Sequence, residues 1–204
     1  MKRHFPAADR NRAPILETLR TIFPKTCRVL EVGSGTGQHA AFFTAEEPGW
    51  VWQPTDFSAE NVASVEAYRV ESGRPNFLPT IQLDARSDEW PEGPFDAVYS
   101  ANVIHISPWE VAEGLFRGSA RVLAPSGVLV LYGPFRFGGT FTADSNAAFD
   151  DKLRREDASW GVRDLDDLNR EARANGFLAG TVLERPANNH VIVFERARGA
   201  QSPR

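Results

Sequence analysis

The sequence predicts an α/β fold, a doubly wound sheet of mostly parallel strands that alternate with helices. Short apolar segments alternate with helical patterns from about residue 28 to residue 132, and parallel strands need such helical crossovers. A glycine-rich turn over residues 33–37 follows the first apolar segment. Open α/β sheets bind ligands at the carboxyl ends of their strands, so the pattern also predicts where a site lies.

The first half of the chain is expected to supply three helices and three strands. Apolar residues recur at helical spacing from Ile15 to Phe23, with Pro14 in the opening turn and Pro24 as the stop. The other elements are strands over 28–32, 50–53 and 77–83 and helices over 38–46 and 58–71. Ser58 is expected to cap the last helix, and Pro79 weakens the third strand.

The second half is expected to add four strands, which makes seven, and three helices. The strands are 95–100, 128–132, 177–184 and 190–195, and the helices are 107–123, 147–156 and 164–175. Only residues 185–189 join the last two strands, which is too short for a helical crossover, so the last strand should run antiparallel. Residues 133–161 break the alternation and are interpreted as a substrate-side insertion after the fifth strand.

The composition indicates a globular protein, with 42% hydrophobic and 25% charged residues among 204. We expect one domain over residues 1–204. A membrane helix needs about 20 apolar residues, and the apolar runs here are as short as 128–132. No apolar segment of a secretory signal follows the basic start. Cys27 is the single cysteine, which excludes an internal disulfide, so we expect a reducing, cytoplasmic location and no membrane partner.

The charge balance favours no macromolecular partner. The chain has 23 Lys and Arg against 27 Asp and Glu, and only three of the basic residues are Lys. Arginine richness is compatible with phosphate or nucleic-acid contacts, whereas codon bias and mixed-charge helix faces are the simpler explanation. A nucleic-acid footprint should be net basic, and the net charge is −4, so no nucleic-acid partner is expected.

The strongest chemical signal is the segment 31–37, which reads Glu-Val-Gly-Ser-Gly-Thr-Gly. Glycines let the backbone turn tightly and approach a ligand, and the helix that follows presents free amide groups. A strand–helix turn that only needs positive φ is the alternative. A dinucleotide-binding turn reads G-x-G-x-x-G/A, and its sixth position here is Gln38, which disfavours NAD.

This acidic-x-G-x-G-x-G pattern resembles the first motif of class I S-adenosylmethionine-dependent methyltransferases, which have a Rossmann-like fold. The resemblance implies S-adenosyl-L-methionine as the cofactor. It also implies that the loop containing Gly33, Ser34, Gly35 and Gly37 abuts the amino-acid part of the cofactor. Glu31 would help to hold its ammonium end.

Two further carboxylates stand at strand ends where this cofactor needs them. Asp56 ends the second strand, 19 residues after the last glycine of the turn, and a carboxylate there can accept from both ribose hydroxyls. By the resemblance, Asp84 receives the adenine amino group and the Ala85 amide faces the ring, and Phe57 and Asn102 complete the cofactor residues. Either aspartate alone is also explained as a surface or helix-capping residue.

His105 follows the fourth strand and is the candidate catalytic residue. Histidine titrates near neutral pH and could take a proton from a substrate hydroxyl or amine, although a histidine satisfied against the sheet is the alternative. The segment 100–105 has no Pro-Pro pair. Many methyltransferases that act on exocyclic base amines or glutamine amides carry an Asn/Asp/Ser-Pro-Pro-aromatic turn at this point. Its absence argues against such substrates. No metal site is predicted.

Beyond these generic motifs the chain resembles one small family, DUF938, a domain of unknown function that includes the methyltransferase-like protein 26 group. The motifs at 35–39, 102–109, 131–135 and 186–189 are among those that carry the resemblance, which extends from about residue 5 to residue 196. The resemblance to this family does not imply any particular substrate. Its polar and aromatic loop residues are the substrate candidates: Asn11, Arg12, Tyr132, Phe135, Asn146, Trp160, Arg163 and Asn188. Each also has an ordinary explanation as a capping, core or turn residue.

The sequence therefore predicts an S-adenosylmethionine-dependent methyltransferase with a small-molecule methyl acceptor. Residues 1–26 are expected to cover the cofactor, and residues 197–204 are expected to form a disordered tail. One alternative is a non-catalytic cofactor-binding protein that acts through a partner, and an NAD-dependent oxidoreductase is a disfavoured one. The sequence leaves open the acceptor, the methylated atom and the oligomeric state.

Overall fold

The secondary structure comes from a computed structural model, which describes residues 1–197. The strands are β1 (Cys27–Val32), β2 (Trp50–Asp56), β3 (Ile81–Gln82), β4 (Phe95–Ala101), β5 (Leu123–Gly133), β6 (Arg136–Phe137), β7 (Thr140–Phe141), β8 (Thr181–Arg185) and β9 (Asn189–Glu195). The helices are α1 (Pro6–Ile22), α2 (Gln38–Glu46), α3 (Ala59–Ser72), α4 (Trp109–Val122), α5 (Asp144–Glu156) and α6 (Leu165–Ala174), with a 3₁₀ turn at Val103–His105.

Seven strands form one sheet in the order β3-β2-β1-β4-β5-β9-β8. The strands β1 to β5 run parallel, and β9 runs antiparallel to both β5 and β8. The predicted mostly parallel sheet with an antiparallel last strand is confirmed. Because the strand order reverses between β1 and β4, a crevice opens at the carboxyl ends of these strands.

Alternating residues of each central strand supply two apolar layers, one on each face of the sheet. Val29 and Tyr99 pack with α1, α2 and α3, whereas Leu30 and Val98 pack with α4 and α6. These strand residues are fully buried. Burial on both faces explains why the strands read as short continuous apolar runs.

Helix α1 begins at Pro6, well before the predicted start at Pro14. Proline suits a first helical turn, where its missing amide costs nothing, and Pro6 takes that position. Pro14 lies inside the helix, at a cost of about 3 kcal/mol in an exposed helix. The burial of Ile15, Leu16 and Leu19 against α2 and the sheet offsets this cost.

Two predicted strands are shorter than expected. The strand predicted at 77–83 is reduced to Ile81–Gln82, and Phe77 makes only an isolated bridge to Trp52. Pro79 separates the two because proline has no amide to donate to the ladder. The strand predicted at 177–184 begins at Thr181.

Strand β5 is longer than predicted, because it starts directly where α4 ends. Phe95 is paired with Leu123 and Ala97 with Val128, so the register shifts between the two pairs. Residues 124–127, which separate the predicted helix from the predicted strand, are therefore an irregular stretch within β5, as expected of a β-bulge.

The predicted insertion at 133–161 contains the β6–β7 hairpin and α5. The predicted tail at 197–204 lies outside the described residues, apart from Ala197, whose amide donates to the carbonyl of Gly176. Within the described part of the chain, no helix combines the length and the apolar character required to cross a membrane.

Candidate functional site

A cavity of about 610 Å³ opens where β1, β2 and β4 end. This volume lies within the range of about 300–1,000 Å³ that is typical of small-molecule sites. Ten of the predicted site residues line it: Asn11, Gly33, Ser34, Gly35, Asp56, Phe57, Asp84, Ala85, Asn102 and Trp160. Residues that are far apart in the sequence therefore meet at the predicted edge of the sheet.

The glycine turn after β1 forms one wall of the cavity. The amides of Gly33 and Ser34 both donate to the carbonyl of Thr55, at 3.0 and 2.8 Å, which fixes the turn to β2. Gly33 has a φ of +78°, and a Cβ there would come within 2.2 Å of Val103 Cγ2. Gly35 has a φ of +57°, and a Cβ there would meet no protein atom within 4 Å. Its backbone is therefore exposed to a ligand in the cavity.

Asp56 ties this turn to the start of α3. Its Oδ2 accepts from the Gly35 amide at 2.8 Å, and its Oδ1 accepts from the Ser58 amide at 2.9 Å and from Asn61 Nδ2 at 3.0 Å. A carboxylate offers about four lone-pair positions, so one is left for a ligand rather than the two predicted for a ribose. Ser58 takes the predicted N-cap position, but its side chain makes no capping bond.

Asp84 lines the cavity in an ion pair with Arg86. The guanidinium donates to both carboxylate oxygens, with Nε 2.9 Å from Oδ1 and the terminal nitrogen 2.7 Å from Oδ2. These hydrogen bonds lower the pKa of Asp84. The predicted acceptor for an adenine amino group is thus already engaged, and Arg86 joins the wall beside Phe57, with its guanidinium 5.8 Å from the ring centroid.

Glu31 and Gly37 lie behind the cavity wall. Glu31 is 2% exposed, and its Oε2 accepts from Ser34 Oγ at 2.7 Å and from Trp52 Nε1 at 2.9 Å. Burial raises the pKa of Glu31 to about 7, against the opposing effect of these hydrogen bonds. Gly37 is the N-cap of α2. In this arrangement Glu31 braces the glycine turn, and its predicted contact with an ammonium group stays a prediction.

The structure places His105 outside the cavity lining, with no exposed surface. Its Nδ1 accepts from the Arg163 amide at 3.2 Å, so Nε2 carries the hydrogen of the neutral ring. Nε2 faces Gly133, where a Cβ would come within 2.5 Å of it. Phe135 packs edge-on against the ring at 5.0 Å. A substrate in the cavity has no direct route to this imidazole, which argues against the predicted general base.

Burial, and then the charge of Arg163, lower the pKa of His105 to about 3. Since the unfolded value is about 6.5, the stability linked to the neutral ring is complete above pH 6.5 and is lost as the pH falls towards 3. The slope is about 1.4 kcal/mol per pH unit. Between pH 7.5 and 5, wild type should therefore lose about 2 kcal/mol more than His105→Asn, which cannot titrate.

Urea unfolding of both proteins at the two pH values measures this difference, because the titrations of all other groups are common to both proteins and cancel. Parallel losses in the two proteins would show that His105 is protonated without cost, and would restore it as an accessible base.

Six substrate candidates lie outside the cavity lining: Arg12, Tyr132, Phe135, Asn146, Arg163 and Asn188. Arg12 pairs with Asp9 at 3.2 Å. Asn146 Nδ2 donates to the carbonyl of Asn188, which occupies a left-handed turn with φ +56°. The Arg12–Asp9 pair lies within α1, whereas the buried side chain of Asn146 holds the turn before β9 against the start of α5.

Phe135 and Tyr132 are buried in the two apolar layers. Arg163 acts on the cavity indirectly, because its guanidinium donates to the carbonyls of Ile104 and Ser107 at 2.8 and 2.6 Å. Ser107 belongs to the wall. Arg163 therefore braces the segment that follows β4.

Sequence reasoning missed several residues of the wall, of which His39 carries the most chemistry. His39 Nε2 lies 2.8 Å from Asn11 Oδ1, and both residues line the cavity. The motif at 35–39 contains His39, but it marked a family resemblance rather than a contact. Phe5, Asn61 and Arg86 also line the cavity. For residues 1–197, no cluster of three or more His, Cys, Asp and Glu is placed to hold a metal ion.

The DUF938 family profile, described as a protein of unknown function, matches residues 2–196. The chain belongs to the DUF938 family. The predicted family is confirmed, and the match covers nearly the whole length. The family description assigns no reaction, so this member's chemistry has to be argued from the site.

Solved structures of methyltransferases share the fold. The S-adenosylmethionine-dependent methyltransferase SibL matches with a TM-score of 0.76 and 20% identity over 94% of this chain. An O-methyltransferase family protein from Burkholderia thailandensis matches with a TM-score of 0.77 and 14% identity over 95% of this chain. CalO1, a methyltransferase in calicheamicin biosynthesis in its SAH-bound form, matches with a TM-score of 0.72 and 21% identity over 92% of this chain. The chain spans only 56%, 58% and 54% of these proteins. The likeness establishes a Rossmann-like methyltransferase fold for the DUF938 chain.

Proposed function

We propose that this DUF938 protein transfers a methyl group from S-adenosyl-L-methionine to a small-molecule acceptor. The observation that carries the proposal is the joint placement of the Gly33–Gly35 turn, Asp56 and Asp84 around one cavity at the switch point of the sheet. Gly35 has no side chain, so a ligand can approach its backbone closely, and Asp56 has one lone pair left to accept from a hydroxyl group. Both features fit a ligand that has an elongated polar part and a ribose. The shared fold supports the proposal but does not by itself assign a reaction.

Different residues of the cavity wall would contact different parts of the cofactor. Gly33 and Gly35 would lie against the amino-acid part, Asp56 would accept from a ribose hydroxyl, and Phe57 with the Ala85 amide would flank the adenine. When bound, the cofactor supplies a methyl group on a positively charged sulfur. Transfer of this group would leave the carbon–sulfur electron pair on sulfur and the acceptor's proton in water, and the residues named above would hold the cofactor in place for it.

The protein's own contribution is then chiefly to hold the acceptor in line with the methyl group and to exclude water. Proximity and orientation of this kind supply up to about 7–11 kcal/mol of a barrier. We assign His105 a structural role in this scheme, since it has no exposed surface and does not line the cavity.

Calorimetric titration with S-adenosylmethionine, S-adenosylhomocysteine and NAD tests the proposal. We expect the first two to bind and NAD to give no signal, because Gln38 stands at the third glycine position of a dinucleotide turn. Its side chain there accepts from the Phe5 amide at 2.7 Å and donates to Asp9 at 2.9 Å. Binding of NAD alone would refute the assignment.

A second arm separates an enzyme from a non-catalytic binding protein. Cofactor carrying a tritiated methyl group is incubated with the protein and a pool of small metabolites, with Gly35→Ala as the control. Label in a product other than the cofactor, seen only with wild type, is the expected result. Tight cofactor binding without any transfer would favour a role through a partner.

A further inference from the structure

Two segments outside the strand–helix core complete the cavity. The N-terminal segment contributes Phe5 and Asn11, and the insertion after β5 contributes Trp160. The core already supplies the glycine turn, Asp56, Phe57 and Ala85, which the proposed function gives to the cofactor. The added segments, together with His39 at the start of α2, are therefore available for the methyl acceptor.

Asn11 and His39 form a fixed polar corner in the wall. The amide Oδ1 of Asn11 can only accept, so His39 Nε2 donates to it across 2.8 Å. His39 Nδ1 then presents its lone pair to the hydroxyl of Tyr99, 3.5 Å away, and Phe43 stacks on the ring at 5.4 Å. The corner is thus held from α1, α2 and β4.

This corner is uncharged, and it keeps capacity to bind a ligand. Burial lowers the pKa of His39 to about 4, so the ring is neutral at physiological pH. The second lone pair of Asn11 Oδ1 is free to accept from a donor in the cavity. The natural donor for a neutral amide oxygen is an uncharged hydroxyl.

Among the residues that line the cavity, taken over residues 1–197, Arg86 is the one cationic side chain, and it is paired with Asp84. Asp56 accepts from Gly35, Ser58 and Asn61, and the proposed function gives its remaining lone pair to the ribose. An anionic acceptor would therefore lose its hydration without a counter-charge, which is costly.

The rest of the wall near these segments is apolar. Trp160 is partly buried, and Phe5 and Ile106 are large apolar side chains that are 51% and 46% exposed while lining the cavity. A group of exposed apolar side chains at a cavity indicates a surface that binds apolar ligands. A flat ring system would cover them and gain the packing that aromatic side chains offer.

Resting on the proposed function, we propose that Asn11, His39 and Trp160 form the acceptor subsite. It would take an uncharged aromatic hydroxy compound, with the ring against Trp160 and the hydroxyl donating to Asn11 Oδ1. In the reaction the hydroxyl oxygen forms the bond to the methyl carbon, sulfur keeps the carbon–sulfur pair, and the hydroxyl proton passes to water. His39 is a positioning residue, since it acts by orienting Asn11.

The test uses two probes, 2-naphthol and 6-hydroxy-2-naphthoate, titrated into protein saturated with S-adenosylhomocysteine. The probes share rings and hydroxyl and differ by a carboxylate. We expect 2-naphthol to bind at least tenfold more tightly. Equal or tighter binding of the naphthoate, or no binding of 2-naphthol, would overturn the subsite, whereas absent binding of S-adenosylhomocysteine would overturn the proposed function instead.

Variants then locate the probe. Asn11→Ala and Trp160→Ala should each weaken 2-naphthol binding about tenfold while the affinity for S-adenosylhomocysteine stays within about threefold, and Trp160→Phe should restore most of the loss. Asn188→Ala, outside the cavity lining, is the matched control and should change neither affinity. Unchanged 2-naphthol binding in both Asn11→Ala and Trp160→Ala would refute the assignment.

Discussion

Gly35→Ala is expected to weaken binding of S-adenosylhomocysteine by about 100-fold. The new methyl group would meet no protein atom within 4 Å, so it would project into the cavity where the ligand has to approach the backbone. Overlap of this kind costs about 1–3 kcal/mol, and each 1.4 kcal/mol is a tenfold change in affinity. The left-handed φ of +57° adds about 1–2 kcal/mol of strain to the folded protein.

Gly73→Ala provides the matched control for strain. Gly73 ends α3 with φ +60° and also has no atom within 4 Å of a built Cβ, but it does not line the cavity. Both variants should lose similar stability in urea unfolding, and only Gly35→Ala should lose affinity in calorimetry. Equal affinities in the two variants would mean that the glycine turn does not contact the cofactor.

The placement of the proposed cofactor residues at one edge of the sheet could be predicted, because it depends largely on local rules. A strand that runs into glycines places them at the carboxyl edge of the sheet, and Asp56 and Asp84 follow parallel neighbours to the same edge. Strand position and residue type indicated the glycine turn and Asp56, and the family resemblance added Asp84. The bonds within the site were not foreseen, since the partners of Asp84 and Asp56 depend on how Arg86 and Asn61 are oriented.

The acceptor side was predicted less well, because a polar or aromatic residue on a loop has two uses. Trp160 and Asn11 line the cavity, whereas Arg163 and Asn146 brace backbone carbonyls. Spacing in the sequence does not distinguish these uses, since each depends on which loop packs against which. His39 was missed for the opposite reason, because it lies at a helix start that was already explained by the glycine turn.

The predicted and observed bounds of the helices and strands differ most at prolines, because a proline can either end an element or lie within it. Pro14 was interpreted as a helix start, yet packing of α1 keeps it inside the helix. Pro125 lies between the predicted helix 107–123 and the predicted strand 128–132, yet β5 passes through it with a shift in register. In both cases tertiary packing outweighs a local preference of a few kcal/mol.

Asp56→Ala is expected to weaken binding of S-adenosylhomocysteine by about 10- to 100-fold, from the loss of one charged hydrogen bond of roughly 1.5–3 kcal/mol. The structure adds a second consequence. Asp56 is 6% exposed and accepts from Gly35, Ser58 and Asn61, so its removal also loosens the glycine turn and should cost about 2–3 kcal/mol of stability.

Asp164→Ala separates these two effects. Asp164 is equally buried at 6%, and its carboxylate accepts from the amides of Gly139 at 2.6 Å and Asp166 at 2.9 Å, but it caps α6 and does not line the cavity. It should lose comparable stability in urea unfolding while its folded fraction binds S-adenosylhomocysteine within about threefold of wild type. If Asp56→Ala shows the same pattern, with stability lost and affinity kept, then Asp56 serves only to hold the turn and the ribose lies elsewhere. The expected loss of affinity in Asp56→Ala alone would place the ribose at the single lone pair that the turn leaves free.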